Sequence, residues 1–474
     1  MLDLLKSLLL RLFYYFYTID DEKYDKRIKE LSTNASQYRK ASLIQSKEQK
    51  EWRKNTSSKD YDYHLIKDRY INLYRSRKSN NVHDVMYLLR VSLKRNIGNI
   101  NNPVLYDSCY GTKDLINAYI NEVILCLDFI VENDKLSHNI KQEFIHNCKI
   151  CYGRTALLLS GGAALSLHHI GVIKSLFEHH CLSRILSGSS GGSIIAAYIA
   201  IHTDDEFQVM LTTGRFKLEM FEPESTSWRV KLKRLIKTGN LFDAKDFERG
   251  LKRSYGEFTF LEAYNKTGRI LNITVTSGTN YDMNDILNYC TSPNVLIWSA
   301  VGCSCAVPGV FQSFPLMAKD RYGNTIPWTL SDDHEWNWID GSFDSDLPTK
   351  RLSEMFHINN FIVSQVNPHV VPFMANTLIK TTTRQIFEST ANLLFKEIKL
   401  RTRQAQEFIT FPFLIKKLLC VFDQKYTGDV TIRPEIPFLD YLKLLQNPNA
   451  EYLLNCIFRG EKATWFEIPY LLLT

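Results

Sequence analysis

The stretch that decides the fold runs from Thr155 to Ala200 and reads TALLLSGGAALSLHHIGVIKSLFEHHCLSRILSGSSGGSIIAAYIA. It contains two short apolar runs, Thr155–Leu159 and Arg184–Ser187, and each run leads into small residues and then into a helix-like segment. Apolar runs that end in glycine-rich turns and alternate with helices are typical of buried parallel strands. Together with strands predicted at Arg269–Thr276 and Asn360–Val366, the pattern indicates an α/β fold with a mainly parallel central sheet.

The sharpest signal in this stretch is the sequence GSSGG at residues 188–192, which satisfies G-x-S-x-G. It follows one predicted strand and precedes a helix predicted at Ser193–Ile201. In a nucleophile elbow the serine occupies a strained strand-to-helix turn, and glycines such as Gly188 and Gly192 leave room for that turn. The start of the helix adds partial positive charge near a developing oxyanion. The motif therefore predicts Ser190 as the nucleophile of a hydrolase.

A second small-residue loop, Ser160–Ala164, closes the preceding strand and leads into a helix predicted at Ile170–Glu178. Side chains as small as those of Gly161, Gly162 and Ala163 leave backbone N–H groups accessible, so the loop could hold an oxyanion. A tightly packed strand-to-helix turn needs small residues as well, and both interpretations remain open at this point. Phosphate binding is disfavoured because no P-loop or dinucleotide-binding pattern follows.

A candidate proton acceptor stands in the sequence Asp340-Gly341-Ser342, which follows Trp338-Ile339. An aspartate at the end of a strand could deprotonate a serine, although Asp-Gly is also a favoured turn pair. His357 and His369 lie downstream, so the order Ser190, Asp340, His369 permits an α/β-hydrolase triad. The residues alone leave a Ser–Asp dyad and a triad open.

Cysteine usage favours a reducing, cytosol-facing location and no metal site. Ten cysteines in 474 residues is far below the density of a disulfide scaffold. Cys148 and Cys151 form a C-x-x-C pair without a second pair, and Cys303 and Cys305 have the wrong spacing for zinc. We therefore expect no metal and no other cofactor.

The basic excess of the chain belongs to its N-terminal part. Residues 1–100 carry 21 Lys and Arg against 12 Asp and Glu, and the remaining residues carry 37 against 39. Such a balance suits an anionic membrane surface, a nucleic acid or a solvated helical face. A nucleic-acid partner is not expected, because no nucleic-acid-binding motif accompanies the charge.

The rest of the chain divides into helical regions around the α/β unit. The predicted organisation is an amphipathic membrane-associating segment at 1–19, a helical region at 20–150, the catalytic domain at 151–370 and a helical C-terminal region at 371–474. Within the second region, Leu115–Val131 has helical periodicity, and one apolar stripe is predicted to consist of Leu115, Ile116, Tyr119, Ile120, Val123, Ile124 and Leu127. Leu2–Ile19 and Phe411–Phe422 are apolar but fall short of the ~20 residues that span a bilayer, so each is either an interfacial segment or packed on the protein's own core.

The motifs, taken in order, resemble the patatin-like phospholipase family, and within it the yeast lipid-droplet triacylglycerol lipases. The resemblance covers roughly residues 20–470, and it is carried by LLLSGGAALSLHHIGVIKSL, RILSGSSGGSIIAA, WSAVGCSCAVPGVF, DGSFDSDLP, FIVSQVNPHVVPF and GDVTIRP. It departs from the family pattern at Leu165, where plant patatins have a basic residue, and at Ser166, where many relatives have glycine. The resemblance implies a three-layer patatin-like fold with helical extensions at both ends.

The resemblance also implies a function and a set of roles. Ser190 would be the nucleophile and Asp340 its partner in a Ser–Asp dyad without histidine, with Gly161, Gly162 and Ala163 forming the oxyanion loop. The implied enzyme is a serine lipase that hydrolyses triacylglycerol through an acyl-enzyme. The alternatives are a phospholipase or lysophospholipid acyltransferase that uses the same acyl-enzyme, and a catalytically weak lipid-droplet scaffold. The implied partners are neutral lipid and phospholipid, and the implied location is the cytosolic surface of lipid droplets or the endoplasmic reticulum membrane.

Overall fold

The fold is seen in a computed structural model that describes most of the chain after residue 50. The described residues are 51–106, 112–213, 240–242, 244–277, 284–307, 310–311, 315–328, 338–340, 346–371, 426–465 and 467–472, with single positions at 234, 237, 393, 397, 400, 401, 404 and 424. The two apolar segments predicted to meet a membrane, Leu2–Ile19 and Phe411–Phe422, lie outside the described residues.

A seven-stranded sheet forms the centre of this described part. Its order is β4-β3-β2-β1-β8-β9, with β7 paired to β3, and β5 pairs with β6 in a separate hairpin. The pairs β1–β2, β2–β3, β1–β8 and β8–β9 are parallel, whereas β4 and β7 run antiparallel to β3. The strands are β1 (Arg154–Leu159), β2 (Ile185–Gly188), β3 (Ile270–Ser277), β4 (Asn284–Leu287), β5 (Met317–Lys319), β6 (Thr325–Pro327), β7 (Trp338–Asp340), β8 (Ile358–Ser364) and β9 (Val430–Ile432).

Helices precede the sheet, alternate with its strands and follow it. They are α1 (Tyr63–Lys78), α2 (Val82–Ser92), α3 (Asp114–Glu132), α4 (His138–Tyr152), α5 (His168–Glu178), α6 (Gly191–Ala200), α7 (Asp204–Thr213), α8 (Ala244–Tyr255), α9 (Phe260–Thr267), α10 (Ile297–Ser304), α11 (Thr349–Phe356), α12 (Ala450–Trp465) and α13 (Ile468–Leu471). The strands and helices predicted for the catalytic domain are confirmed, with ends that differ by two residues at most. None of the helices in the described ranges is both long and apolar enough to cross a membrane.

Strand β1 shows why the sheet is covered on both faces. Side chains alternate along a strand, so Leu157 and Leu159 point to one face and Ala156 and Leu158 point to the other. The first pair joins a core with α5 and α6, and the second pair joins a separate core with α11. All four side chains are buried, as expected for a parallel sheet between two helical layers. The predicted three-layer α/β fold with a mainly parallel sheet is confirmed.

The C-terminal region adds a strand and a helix to the catalytic domain. Strand β9 extends the sheet beside β8, an addition to the predicted all-helical region at 371–474. Helix α12 lies so close to α5 that a Cβ added at Gly171 would stand 1.9 Å from the Ile457 carbonyl oxygen. Lys174 of α5 and Glu461 of α12 form a buried ion pair across this contact. The helix that follows the Ser160–Ala164 loop is therefore held by a helix of the C-terminal region.

Helix α3 packs the predicted apolar stripe against the core except at one position. Ile116 and Tyr119 are buried as expected, but Ile124 is 51% exposed. The buried face instead includes Glu122, whose Oε1 lies 2.6 Å from Nε of Arg77 on α1. A carboxylate is stable inside only when it is paired, and hydrophobic spacing cannot reveal that pairing. The predicted stripe was wrong at Ile124.

Candidate active site

Ser190 occupies the tight turn between β2 and α6. Its φ of 49° and ψ of −126° lie in a region that side-chain-bearing residues rarely adopt. The turn is held on both sides, because the Ser190 N–H donates to Ser304 Oγ at 3.0 Å and Ser193 Oγ donates to the Ser190 carbonyl at 2.6 Å. Ser304 is itself fixed by donating to the Thr274 carbonyl of β3 at 2.8 Å. The surrounding structure thus maintains a strained serine at the end of a buried strand.

The two glycines of the elbow are required by close backbone contacts. A Cβ at Gly188 would lie 2.6 Å from the Gly192 carbonyl oxygen, and a Cβ at Gly192 would lie 2.3 Å from the Leu159 carbonyl oxygen. Real Cβ atoms do not approach backbone this closely, so any side chain at either position would displace the turn. The spacing that predicted the elbow therefore has a steric cause.

The small-residue loop after β1 lies directly against Ser190. A Cβ added at Gly161 would stand 3.3 Å from the Ser190 Cβ, and Ala163 adopts a φ of 48°. The Gly161 N–H donates to Oδ1 of Asp346 at 2.9 Å. Within the described ranges, the N–H groups of Gly162 and Ala163 have no acceptor. The loop therefore offers two unpaired amides beside the candidate nucleophile.

The strand register brings the backbone of Asp340 to the elbow. Val275 of β3 pairs with Asp285 of β4 on one edge and with Asp340 of β7 on the other, so β7 lies on the same edge as β2. Gly188, the last residue of β2, pairs with Ile273, which is two residues before Val275. Two residues along a strand span about 7 Å. The side chain of Asp340 lies outside the described part of the structure.

The histidines that a triad would need are engaged elsewhere or exposed. His357 is exposed at the C-cap of α11. His369 Nε2 lies 3.0 Å from the Tyr426 hydroxyl, and burial lowers the pKa of His369 to about 4. In the parts of the chain that are described, no histidine forms a hydrogen bond with the Ser190 side chain. This arrangement favours the dyad over the triad.

The sequence prediction missed one acid of this site, Asp346. Its side chain is buried, and its carboxylate accepts hydrogen bonds from the Gly161 N–H at 2.9 Å and from Asn367 Nδ2 at 2.6 Å. Its own N–H donates to Gln424 Oε1 at 2.8 Å. The motif DGSFDSDLP contains three aspartates, and nothing in their spacing distinguishes Asp346.

The described residues include no cluster of three or more His, Cys, Asp or Glu side chains that could hold a metal ion. Cys148, Cys303 and Cys305 are buried thiols, whereas Cys151 is exposed. Burial raises the pKa of the Cys148 thiol to about 11, which keeps the thiol protonated at neutral pH.

Comparison with known families and proteins gives the chain its class. A family profile described as patatin-like phospholipase matches residues 157–352, and one described as a domain of unknown function (DUF3336) matches residues 19–150. Triacylglycerol lipase ptl3 of Schizosaccharomyces pombe is 37% identical over 437 residues, which are 91% of this chain and 89% of the relative. The chain therefore belongs to the patatin-like lipase family, a family of carboxylic ester hydrolases.

Other similarities differ in how much of each protein they cover. Triacylglycerol lipase 4 of Saccharomyces cerevisiae is 39% identical over 440 residues, which are 89% of this chain but only 48% of the relative. The crystal structure of VipD from Legionella pneumophila is 13% identical, covers 66% of each chain and gives a TM-score of 0.32. A likeness that low carries no argument about this chain.

Proposed function

We propose that this protein is a serine lipase that hydrolyses triacylglycerol through a Ser190–Asp340 dyad and an acyl-enzyme. The main support is the strained Ser190, which stands in a strand-to-helix turn beside two amides of the adjacent loop that have no acceptor among the described residues. The substrate class is supported by relatives that are named triacylglycerol lipases. The strand register supports the dyad, because it brings the backbone of Asp340 to the same sheet edge as the elbow.

In the first step the Ser190 hydroxyl gives its proton to the Asp340 carboxylate while Oγ attacks the ester carbonyl carbon. The carbonyl oxygen becomes an oxyanion, which the N–H groups of Gly162 and Ala163 and the N-terminus of α6 stabilise. Gly161 contributes space rather than a hydrogen bond, because its N–H already donates to Asp346. The diacylglycerol leaves with the proton, and the fatty acyl group stays on Ser190.

In the second step a water molecule attacks the acyl-enzyme. Asp340 accepts a proton from this water, the same amides stabilise the second oxyanion, and the fatty acid leaves as Ser190 regains its proton. The same acyl-enzyme could react with a lysophospholipid instead of water, or could form from a phospholipid. The family description as a patatin-like phospholipase supports phospholipase action as the second candidate function.

The experiment that tests the proposal compares lipid products. Purified full-length protein is incubated with emulsified triacylglycerol, with phospholipid vesicles, and with lysophospholipid plus an acyl donor. We expect free fatty acid and diacylglycerol from the first mixture at a rate well above the other two. Faster release of fatty acid from phospholipid, or acyl transfer to lysophospholipid as the main reaction, would show that the second candidate function is the correct one. No turnover in any mixture would favour a scaffold.

We further propose that the enzyme works at the cytosolic surface of lipid droplets or of the endoplasmic reticulum membrane, and that part of its contact with lipid lies beside the oxyanion loop. The 3₁₀ segment Phe438–Lys443 ends next to Leu444, whose carbonyl accepts the Ala164 N–H at 3.1 Å. Leu439 and Leu442 of this segment are 68% and 71% exposed. Residues three apart share one face of a 3₁₀ helix, so the two leucines form one apolar face near the site.

Asp440 fixes the orientation of this leucine face. Asp440 lies between the two leucines in the sequence and is buried. Its carboxylate pairs with Arg459 of α12 at 2.5 Å. With Asp440 held inward, Leu439 and Leu442 remain outside. Exposed apolar side chains beside the site of an enzyme with an insoluble apolar substrate favour a lipid surface as their partner.

We expect the double substitution Leu439→Gln and Leu442→Gln to lower hydrolysis of emulsified triacylglycerol by about tenfold. Burial of a leucine side chain in an apolar phase is worth about 1.5–3 kcal/mol, so two polar replacements weaken attachment to the lipid. Hydrolysis of a soluble short-chain ester stays near the wild-type rate. Ile124→Gln, at a comparably exposed apolar position of α3, serves as the control. Equal losses on both substrates, or none on the emulsion, would contradict the lipid contact.

A further inference from the structure

Asp346 is a buried acid that the proposed reaction uses neither as a base nor as a nucleophile. Only 3% of the residue is exposed. A buried carboxylate is stable when donors satisfy it, and here the donors come from two loops. The Gly161 N–H belongs to the loop after β1, and the Asn367 amide belongs to the loop after β8. The carboxylate therefore links two loops that follow neighbouring parallel strands.

Gly161 connects this carboxylate to the nucleophile. A Cβ added at Gly161 would lie 3.3 Å from the Ser190 Cβ and 3.4 Å from Oδ1 of Asp346. A hydrogen bond from an N–H to a carboxylate is shorter and stronger than one between neutral groups. It fixes the orientation of the peptide group at Gly161, and so determines where the next two amides, those of Gly162 and Ala163, lie relative to Ser190.

Asn367 in turn fixes the carboxylate. Its Nδ2 donates to Oδ2 at 2.6 Å, while Oδ1 accepts from Gly161, so each carboxylate oxygen has its own donor. The Asp346 N–H donates to Gln424 Oε1 at 2.8 Å, which holds the backbone of the residue as well.

From these contacts we infer that Asp346 is a positioning residue of the hydrolytic site, whose carboxylate holds the oxyanion loop beside Ser190. The inference rests on the proposed function, since it assigns the loop amides to an oxyanion. Asp346 itself exchanges no proton with substrate. Its contribution is made before the reaction, because amides that are already oriented need no reorganisation when the oxyanion forms.

The test uses Asp346→Asn in the full-length protein and a soluble short-chain ester as substrate. An asparagine has one acceptor oxygen, so its NH2 group faces either the Gly161 N–H or the Asn367 amide, and both hydrogen bonds survive only if the Asn367 amide turns over. In every orientation the Gly161 N–H loses its charged acceptor. We expect kcat to fall by about 10²-fold, the loss typical of a misplaced oxyanion donor, with little change in KM. The rate at which a fluorophosphonate probe labels Ser190 falls in parallel.

The double variant Asp346→Asn with Asn367→Asp separates positioning from folding. The amide introduced at position 346 can then accept from the Gly161 N–H and donate to the new carboxylate at position 367, so both hydrogen bonds return, the second with its direction reversed. We expect the double variant to recover at least about tenfold in kcat over the single variant. Glu122→Gln, which removes a buried carboxylate paired with Arg77 far along the chain, is the control: it lowers the unfolding temperature and leaves the labelling rate unchanged.

The results distinguish this inference from the proposed function. Asp346→Asn with wild-type kcat and labelling rate, or a double variant no faster than the single one, would overturn the positioning role. Wild-type protein that is labelled at Ser190 and cleaves soluble esters but not triacylglycerol would overturn the proposed substrate and leave the role of Asp346 testable by the same variants. Wild-type protein that neither is labelled nor cleaves any ester would overturn both.

Discussion

Ser190→Ala is expected to lose at least about 10³-fold in triacylglycerol hydrolysis while the protein stays folded. Loss of a serine nucleophile removes the covalent route altogether, and only the stabilisation supplied by the remaining groups is left. Alanine keeps the Cβ and loses only the hydroxyl, so the hydrogen bonds of the Ser190 backbone remain. Fatty acid release is measured with emulsified triacylglycerol, and folding is followed by circular dichroism on heating.

Ser189→Ala is the matched control for this substitution. The Ser189 hydroxyl is buried and forms no hydrogen bond with the described residues. Its removal therefore breaks no hydrogen bond among them. We expect this variant to retain activity within a few-fold of the wild type. A folded Ser190→Ala protein with near-normal activity, or a Ser189→Ala protein that is equally inactive, would show that the elbow serine is not the nucleophile.

Asp340→Asn is expected to be nearly as damaging as the loss of Ser190. An asparagine cannot take the proton of the attacking hydroxyl, so general-base catalysis, typically 10²–10⁴-fold, is lost. His369→Ala and His357→Ala are expected to change kcat by less than about fivefold. In the proposed mechanism Asp340 is the general base, and neither histidine takes a proton from Ser190. All three variants are assayed on the same emulsion as Ser190→Ala.

The histidine variants discriminate between the dyad and the triad. His369 hydrogen-bonds with Tyr426, and burial lowers its pKa to about 4, so it stays neutral in the proposed mechanism at the pH of the assay. If His369→Ala is as inactive as Ser190→Ala, the site is the triad that the order Ser190, Asp340, His369 permits, and the Ser–Asp dyad is wrong.

The strands and the elbow could be predicted from the sequence because local patterns encode them. Strand β1 is buried from Ala156 to Leu159, and buried strands of parallel sheets are continuous apolar runs. Gly188 and Gly192 are required because a Cβ at either position would stand less than 3 Å from a backbone atom. The constraint therefore appears in the sequence as glycine at two fixed positions. Such features appear as residue types at fixed positions even where the backbone they contact is distant in sequence, as the Leu159 carbonyl is from Gly192.

Other features depend on residues far apart in the sequence, and the sequence alone did not reveal them. The partner of Gly161 is Asp346, which lies 185 residues away. Strand β9 has three residues, too few for a periodic pattern, and it forms only because β8 offers a free edge. Glu122 is buried because Arg77 pairs with it, which no hydropathy pattern shows.

The membrane segments predicted at Leu2–Ile19 and Phe411–Phe422 stay predictions, because both lie outside the described residues. The leucine face at Leu439 and Leu442 is a separate candidate for contact with lipid, and its exposure could not be predicted from sequence. In the sequence the two leucines belong to an apolar stretch that could equally be core, and only the burial of Asp440 between them decides which way they point.

The most direct test of the central claim is to trap the acyl-enzyme. Full-length protein is mixed with triacylglycerol of a single acyl chain, quenched in acid within the first turnovers, digested and analysed by mass spectrometry. The proposed mechanism predicts the mass of that acyl group on the peptide that contains Ser190, and no such adduct in Ser190→Ala. Two results would contradict the mechanism: an acyl group found on another residue during rapid hydrolysis, or a rate of hydrolysis in Ser190→Ala that equals that of the wild type.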